Sequence, residues 1–261
     1  MTQAVRRRPG TPCWVSLMVR RFEEAEEFYG ALFGWRFQPG PQQLGPYARG
    51  LLDGREVAGI GKLPADRDLP TAWTPYLASD DAGATTSSVR YSGGTVAVGP
   101  LSAGDAGRMA ICSDPAGAVF GVWQAAAHTG AALAGQPGTP VWNELLTWET
   151  ESVGKFYRTV FGYELEPGGT AGGATDPDVV TLKVADRPVA SLHGLGRAVP
   201  RERGAHWMTW FEVADTDAAA RRVDELGGRV VRPPHDAPAG RVAVVADREG
   251  AVFTLVRSAG R

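Results

Sequence analysis

The chain repeats itself, and that repeat limits its possible folds more than any other feature. GTPCWVSLMVRRFEEAEEFYGALFGWRFQPG, from Gly10, aligns without a gap on GTPVWNELLTWETESVGKFYRTVFGYELEPG, from Gly138, with about a dozen identities in roughly thirty positions. A second block follows in each half. WTPYLASDDAGATTSSVRYSGG from Trp73 matches WMTWFEVADTDAAARRVDELGG from Trp207, and SDPAGAVFGVW matches ADREGAVFTLV near the two ends. Each half is therefore two units long. The intervening AAAHTGAALAGQPG is rich in Ala and Gly and lacks sustained periodicity, which marks a linker. The expected organisation is a first half over 1–127, a linker over 128–137 and a second half over 138–261.

Within each unit the signals run in one order: an alternating strand, an amphipathic helix, a Gly-containing turn and several short strands. Phe22, Ala25, Phe28, Tyr29, Leu32 and Phe33 recur at helical spacing while Glu23, Glu24, Glu26 and Glu27 take the other face, and Gly34 stops the helix. Val153, Phe156, Tyr157, Val160 and Phe161 before Gly162 repeat the pattern. The expected fold is α+β, with tandem paired βαβββ modules, four units in all.

Composition narrows the function. The 261 residues are 43% hydrophobic, enough for a real core, and 27 basic residues against 29 acidic leave a net charge of -2, with no electrostatic footprint for nucleic acid or an anionic membrane. Two cysteines, Cys13 and Cys112, exclude a disulfide framework and a thiolate-rich zinc site; Cys112 is expected to be a buried structural thiol. No run of about 18 apolar residues appears, so neither export nor membrane insertion is expected and a reducing cytoplasm fits. The sequence has no GxxxxGK[ST] loop, no strand-associated GxGxxG, no GxSxG elbow and no HExxH helix, which leaves nucleotide-dependent, serine-hydrolase and zincin chemistry without a foothold.

The succession of strand, FYxxxFGW, short strands, V-A-D-x-D-A-A…GG and D-x-x-G-A-V-F resembles the vicinal oxygen chelate superfamily of glyoxalases, extradiol dioxygenases and bleomycin-resistance-type proteins. The resemblance runs from about Gly10 to Arg257, and the tandem arrangement is most similar to actinobacterial two-module glyoxalase-like proteins. It implies curled mixed sheets around a groove, with metal ligands supplied by first and last strands. The positions matching those ligands hold Trp14, Thr74 and Gly121 in one half and Trp142, Met208 and Thr254 in the other. None is an imidazole or carboxylate, so no metal and no other cofactor is expected. Of the four histidines, His128, His206 and His235 are expected to be solvated or capping, whereas His193 ends a strand where the family often places a pocket residue.

Strand alternation then selects faces. Val15, Leu17 and Val19 should pack under the helix, which turns Trp14, Ser16 and Met18 to the groove. The same parity places Trp142, Glu144 and Leu146 there, together with Thr74, Tyr76 and Trp123, and with Met208, Trp210 and Glu212. Asn143 breaks the apolar pattern of its face. Tryptophans on these faces either fill a closed core or line a pocket that stacks on a flat ligand. Glu144 is either a surface carboxylate or, in a dry groove beside indole, a group suited to take and give a proton. Three functions follow. The first is a metal-independent tailoring enzyme of secondary metabolism, hydroxylase-like, cyclase or isomerase, that acts on a hydrophobic aromatic or polyketide-like small molecule with Glu144, His193 and Glu212 as catalytic groups. The second is a sequestering antibiotic self-resistance protein, and the third, last in rank, a metal-dependent lyase or dioxygenase. A monomer or homodimer would serve any of them.

Overall fold

The computed structural model describes residues 6–41, 45–64, 69–168, 178–195 and 204–259. Its elements fall into four βαβββ modules. The first comprises β1 (Pro12–Val19), α1 (Phe22–Phe33), β2 (Arg36–Pro39), β3 (Tyr47–Leu52) and β4 (Arg55–Lys62). The second comprises β5 (Trp73–Ala78), α2 (Ala82–Tyr91), β6 (Thr95–Ser102), β7 (Gly107–Ser113) and β8 (Val119–Ala125). The third is β9 (Pro140–Thr147), α3 (Thr150–Phe161), β10 (Glu164–Pro167), β11 (Val179–Val184) and β12 (Arg187–Gly194). The fourth is β13 (His206–Glu212), α4 (Thr216–Glu225), β14 (Arg229–Ala237), β15 (Gly240–Ala246) and β16 (Val252–Ser258).

The strands form two mixed eight-stranded sheets with the orders β2-β3-β4-β1-β5-β8-β7-β6 and β10-β11-β12-β9-β13-β16-β15-β14. In every module the first and last strands run parallel, as β1 does with β4 and β9 with β12, while the hairpins between them are antiparallel. The helix ends follow local chemistry. Gly34 and Gly162 stop α1 and α3 in the left-handed conformation at φ 75° and 71°, where a side chain would be strained. Asp81 and Asp215 cap α2 and α4 by accepting from amides of the first turn. Arg21 lends α1 no side-chain cap; instead the Glu249 carboxylate accepts from the Arg20 and Arg21 amides at 2.9 and 2.6 Å.

Contacts divide the chain into two compact units. One takes residues 1–13, 74–130 and 143–207, hence the second and third modules; the other takes 14–73, 131–142 and 208–261, hence the first and fourth. Linker residue Leu133 is buried in the core of the latter. Each core is built around a tyrosine. In the unit of modules one and four, Tyr29 of α1 donates to Asp247 at 2.9 Å, accepts from the Trp73 indole at 3.1 Å and packs against Phe28, Phe33, Trp35 and Phe253. In the unit of modules two and three, Tyr157 of α3 donates to Asp114 at 3.3 Å, accepts from the Trp207 indole at 3.0 Å and packs against Phe120, Phe156 and Phe161. The other oxygen of each aspartate accepts from turn amides: Ala116 and Ala118 for Asp114, Glu249 and Ala251 for Asp247. Burial pushes the Asp114 carboxyl up to about 6 and moves Asp247 in the same direction, against the pull of those hydrogen bonds. Cys112 is buried, with its thiol pushed up to about 12 by burial.

Candidate functional site

Parity sorts the third module into two faces. On β9, Asn143, Leu145 and Thr147 are buried, as are Ala190 and Leu192 on β12. Glu144 and Leu146, with Ser191 and His193, occupy the other face. The parallel register sets Ser191 opposite Glu144 and His193 opposite Leu146. The antiparallel neighbours continue it, with Thr181 of β11 opposite Ser191 and Glu166 of β10 opposite Thr181. An in-register row, Glu144, Ser191, Thr181, Glu166, therefore crosses four strands. At its inner end His193 Nδ1 lies 3.3 Å from Glu144 Oε1, with the two side chains 37% and 15% exposed. At its outer end Glu166 is held by Lys183 at 2.5 Å.

A carboxylate beside Nδ1 favours the tautomer with its proton on that nitrogen, which leaves the Nε2 lone pair able to accept one. The separation is long for a hydrogen bond, as such pairs often are before a ligand tightens them. Ser191 and Thr181, both buried, place hydroxyls next along the row. Together these groups can receive a proton, hold it and bind a polar substituent.

The first module has the same register and different contents. Ser16 lies opposite Gly59 and Met18 opposite Gly61, while on β3 Tyr47 and Arg49 face Gly61 and Gly59. The Tyr47 ring lies across β4, so that a Cβ at Gly59 would sit 1.7 Å from Tyr47 Oη, and one at Gly61 2.6 Å from Met18 Sδ. Trp14 Nε1 donates to Tyr47 Oη at 2.8 Å, and Ser16 Oγ lies 2.7 Å from the same oxygen. Burial pushes the Tyr47 phenol up, against the pull of those two hydrogen bonds. Arg49 is ion-paired with Glu56.

The remaining candidates are placed separately. The Tyr76 ring covers Gly121, where a Cβ would meet it at 2.2 Å. Thr74 is half-buried on the same strand, and Trp123 donates its N–H to the His128 carbonyl at 2.8 Å. Trp142 is half-buried near the start of β9. On β13 Met208 is buried and Trp210, opposite Thr254, keeps its indole N–H shielded and without a hydrogen-bond partner. Glu212 accepts from the Ser258 amide at 2.9 Å and its hydroxyl at 2.5 Å, which fixes it to the end of β16. The structure thus joins Glu144 to His193, brings Trp14 and Ser16 onto the same Tyr47 oxygen, and engages Glu212 elsewhere. Sequence reasoning missed Tyr47, Ser191 and Thr181. For the group over β4 the one available signal was the alternation of glycines in AGIGK, since glycine on one strand face marks a close approach by another group without naming it.

Comparisons with known proteins agree with this architecture. Residues 139–256 match the profile of the Glyoxalase-like domain family. The chain is 38% identical over 259 residues to a putative glyoxylase, CFP32, of Mycobacterium bovis, covering 97% of this chain and 96% of that one. It is 37% identical over 266 residues to the anthracycline biosynthesis protein DnrV of Streptomyces peucetius, covering 95% and 93%. Among solved structures, the Mn(II)-bound glyoxalase of Novosphingobium aromaticivorans superposes with a TM-score of 0.63 at 18% identity, covering 95% of this chain and 82% of that one.

A metal of that kind does not fit the donors present. The matching positions are filled by Trp14, Thr74, Gly121, Trp142, Met208 and Thr254, and among the described residues no group of three or more His, Cys, Asp or Glu side chains could hold an ion. Also among the described residues, no helix is long and apolar enough to cross a membrane.

Proposed function

Because the chain belongs to the glyoxalase-like proteins of the vicinal oxygen chelate superfamily, we propose that it is a tailoring enzyme of secondary metabolism that moves protons on an aromatic, polyketide-like small molecule without a metal ion. The contact between His193 Nδ1 and Glu144 Oε1 at 3.3 Å carries this reading. In the reaction Glu144 holds the imidazole in place and stabilises it once charged, while Nε2 takes a proton from an acidic C–H or phenolic O–H and returns it to another atom of the ligand. Such a step suits enolisation, cyclisation or isomerisation. The Ser191 and Thr181 hydroxyls, next in register, would bind an oxygen that gains charge as the proton leaves. The ligand class is supported by the likeness to DnrV and by tryptophans on the strand faces, Trp142 among them. Glu212, tied to Ser258, stays outside the proton path.

The test uses 1,8-dihydroxyanthrone, whose carbonyl acidifies its C10 methylene. Anaerobic exchange of C10 hydrogen with deuterated solvent is followed by NMR at catalytic protein concentration. Wild type should accelerate exchange, and Glu144→Gln, which keeps the shape but removes the carboxylate, should lose about 100- to 10,000-fold of that acceleration with little change in affinity. Binding without acceleration would favour the sequestration reading. Glu144→Gln exchanging within about threefold of wild type would make Glu144 only a structural or binding group.

A further inference from the structure

The first module holds a hydrogen-bond trio with three donor protons and only two hydrogen bonds among its members. Trp14 Nε1 can only donate, and it donates to Tyr47 Oη. Tyr47 and Ser16 share one hydrogen bond at 2.7 Å, yet each brings a hydroxyl proton. One of those protons therefore has no acceptor within the trio. Trp14 and Ser16 are buried, at 7% and 2% exposure, whereas Tyr47 is half-buried, which makes it the member of the trio with surface left for a ligand to cover. If Ser16 donates to Tyr47, both lone pairs of the phenol oxygen are engaged and its own proton points onward. Two incoming donors polarise that O–H and make it a stronger donor. Gly59 is what permits this posture, since any Cβ there would collide with the phenol oxygen. Arg49, opposite Gly59 on β3, lies on the same face with its charge paired to Glu56.

We infer that Tyr47, oriented by Trp14 and Ser16, is a ligand-binding donor that receives a carbonyl oxygen of a flat aromatic ketone or quinone. A half-buried polar trio with an unspent proton is costly until an acceptor oxygen completes it, and a ring carbonyl supplies that oxygen on a stackable plane. The inference rests on the reading that the chain takes an aromatic ligand, and it is independent of proton transfer at Glu144.

A matched pair of soluble probes isolates the carbonyl: 9,10-anthraquinone-2-sulfonate and anthracene-2-sulfonate share size, planarity and charge and differ in the ring oxygens. Calorimetric titration of the full chain should show the anthraquinone binding on the order of tenfold tighter, the worth of one favourable hydrogen bond. Tyr47→Phe keeps the ring and should close that gap to within about twofold by weakening the anthraquinone alone. If Tyr47→Phe does not fold, Trp14→Phe, which removes the incoming N–H, is used instead and should narrow the gap. An unchanged gap in the folded variant overturns the proposal. Equal binding of both probes by wild type overturns it while leaving the aromatic-ligand reading standing, and wild type binding neither probe overturns both.

Discussion

The first and third modules share a register and differ at the residues that register brings together. Ser16, Gly59, Gly61 and Tyr47 in one correspond to Glu144, Ser191, His193 and Val179 in the other. A large phenol covering two glycines has been exchanged for a smaller aliphatic side chain with a serine and a histidine beside it. The exchange turns a face of neutral donors into one carrying a carboxylate and an imidazole. Beneath these faces the two cores share one hydrogen-bonded motif: Tyr29, Asp247 and Trp73 are repeated by Tyr157, Asp114 and Trp207. Duplication kept the interior, where close packing leaves few alternatives, and freed the open face to change chemistry.

The largest effect that would sharpen this contrast is kinetic. Glu144→Gln should abolish most of the anthrone exchange, and Glu212→Gln, whose carboxylate is engaged with Ser258, should do far less. Equal losses would erase the distinction between the two carboxylates.

The next effect concerns the shared core. Asp114 is raised from its ordinary 3.8 to about 6, so between those pH values the folded chain retains a proton that the unfolded chain has released. Stability from this group is full below about pH 4 and is lost as pH rises to about 6, by up to roughly 3 kcal/mol. Asp247 is raised in the same direction. Denaturant titrations from pH 4 to 7 should show the slope shrink in Asp114→Asn and again in Asp114→Asn/Asp247→Asn. A slope untouched by Asp114→Asn would show that this carboxyl ionises without cost.

A smaller effect probes the size exchange. Gly59→Ser installs the residue of the third module under a phenol that cannot share the space, and should destabilise by about 1 to 3 kcal/mol. Adding Tyr47→Val, which matches Val179, should recover part of that loss in a double-mutant cycle. Additive losses would mean that Tyr47 does not depend on Gly59. The smallest effect is none at all: chelator treatment should leave anthrone exchange unchanged, and loss of exchange restored by Mn(II) would revive a metal site.

The modules were legible because their signals are local: helical spacing from Phe22 to Phe33, its copy from Val153 to Phe161, and the glycines that stop both helices. Strand parity also reached Glu144, and a strand end reached His193. Ser191, Thr181 and Tyr47 escaped because they join the site through register between strands distant in sequence, which alternation within one strand cannot supply. The grouping of the first module with the fourth, and of the second with the third, was hidden for a related reason. Apolar faces such as Val15, Leu17 and Val19 show that a face is buried without naming what buries it.

Whether Glu144 sets the chemistry of His193 can be measured by imidazole nitrogen NMR without any substrate. Long-range 1H–15N correlation of the four histidines, with His193 assigned by loss of its signals in His193→Gln, reports which ring nitrogen carries the proton in the neutral form. His193 should carry its proton on Nδ1 with Nε2 unprotonated, reverting in Glu144→Gln to the tautomer protonated at Nε2. A His193 already protonated at Nε2 in the wild type, and unchanged by Glu144→Gln, would contradict it.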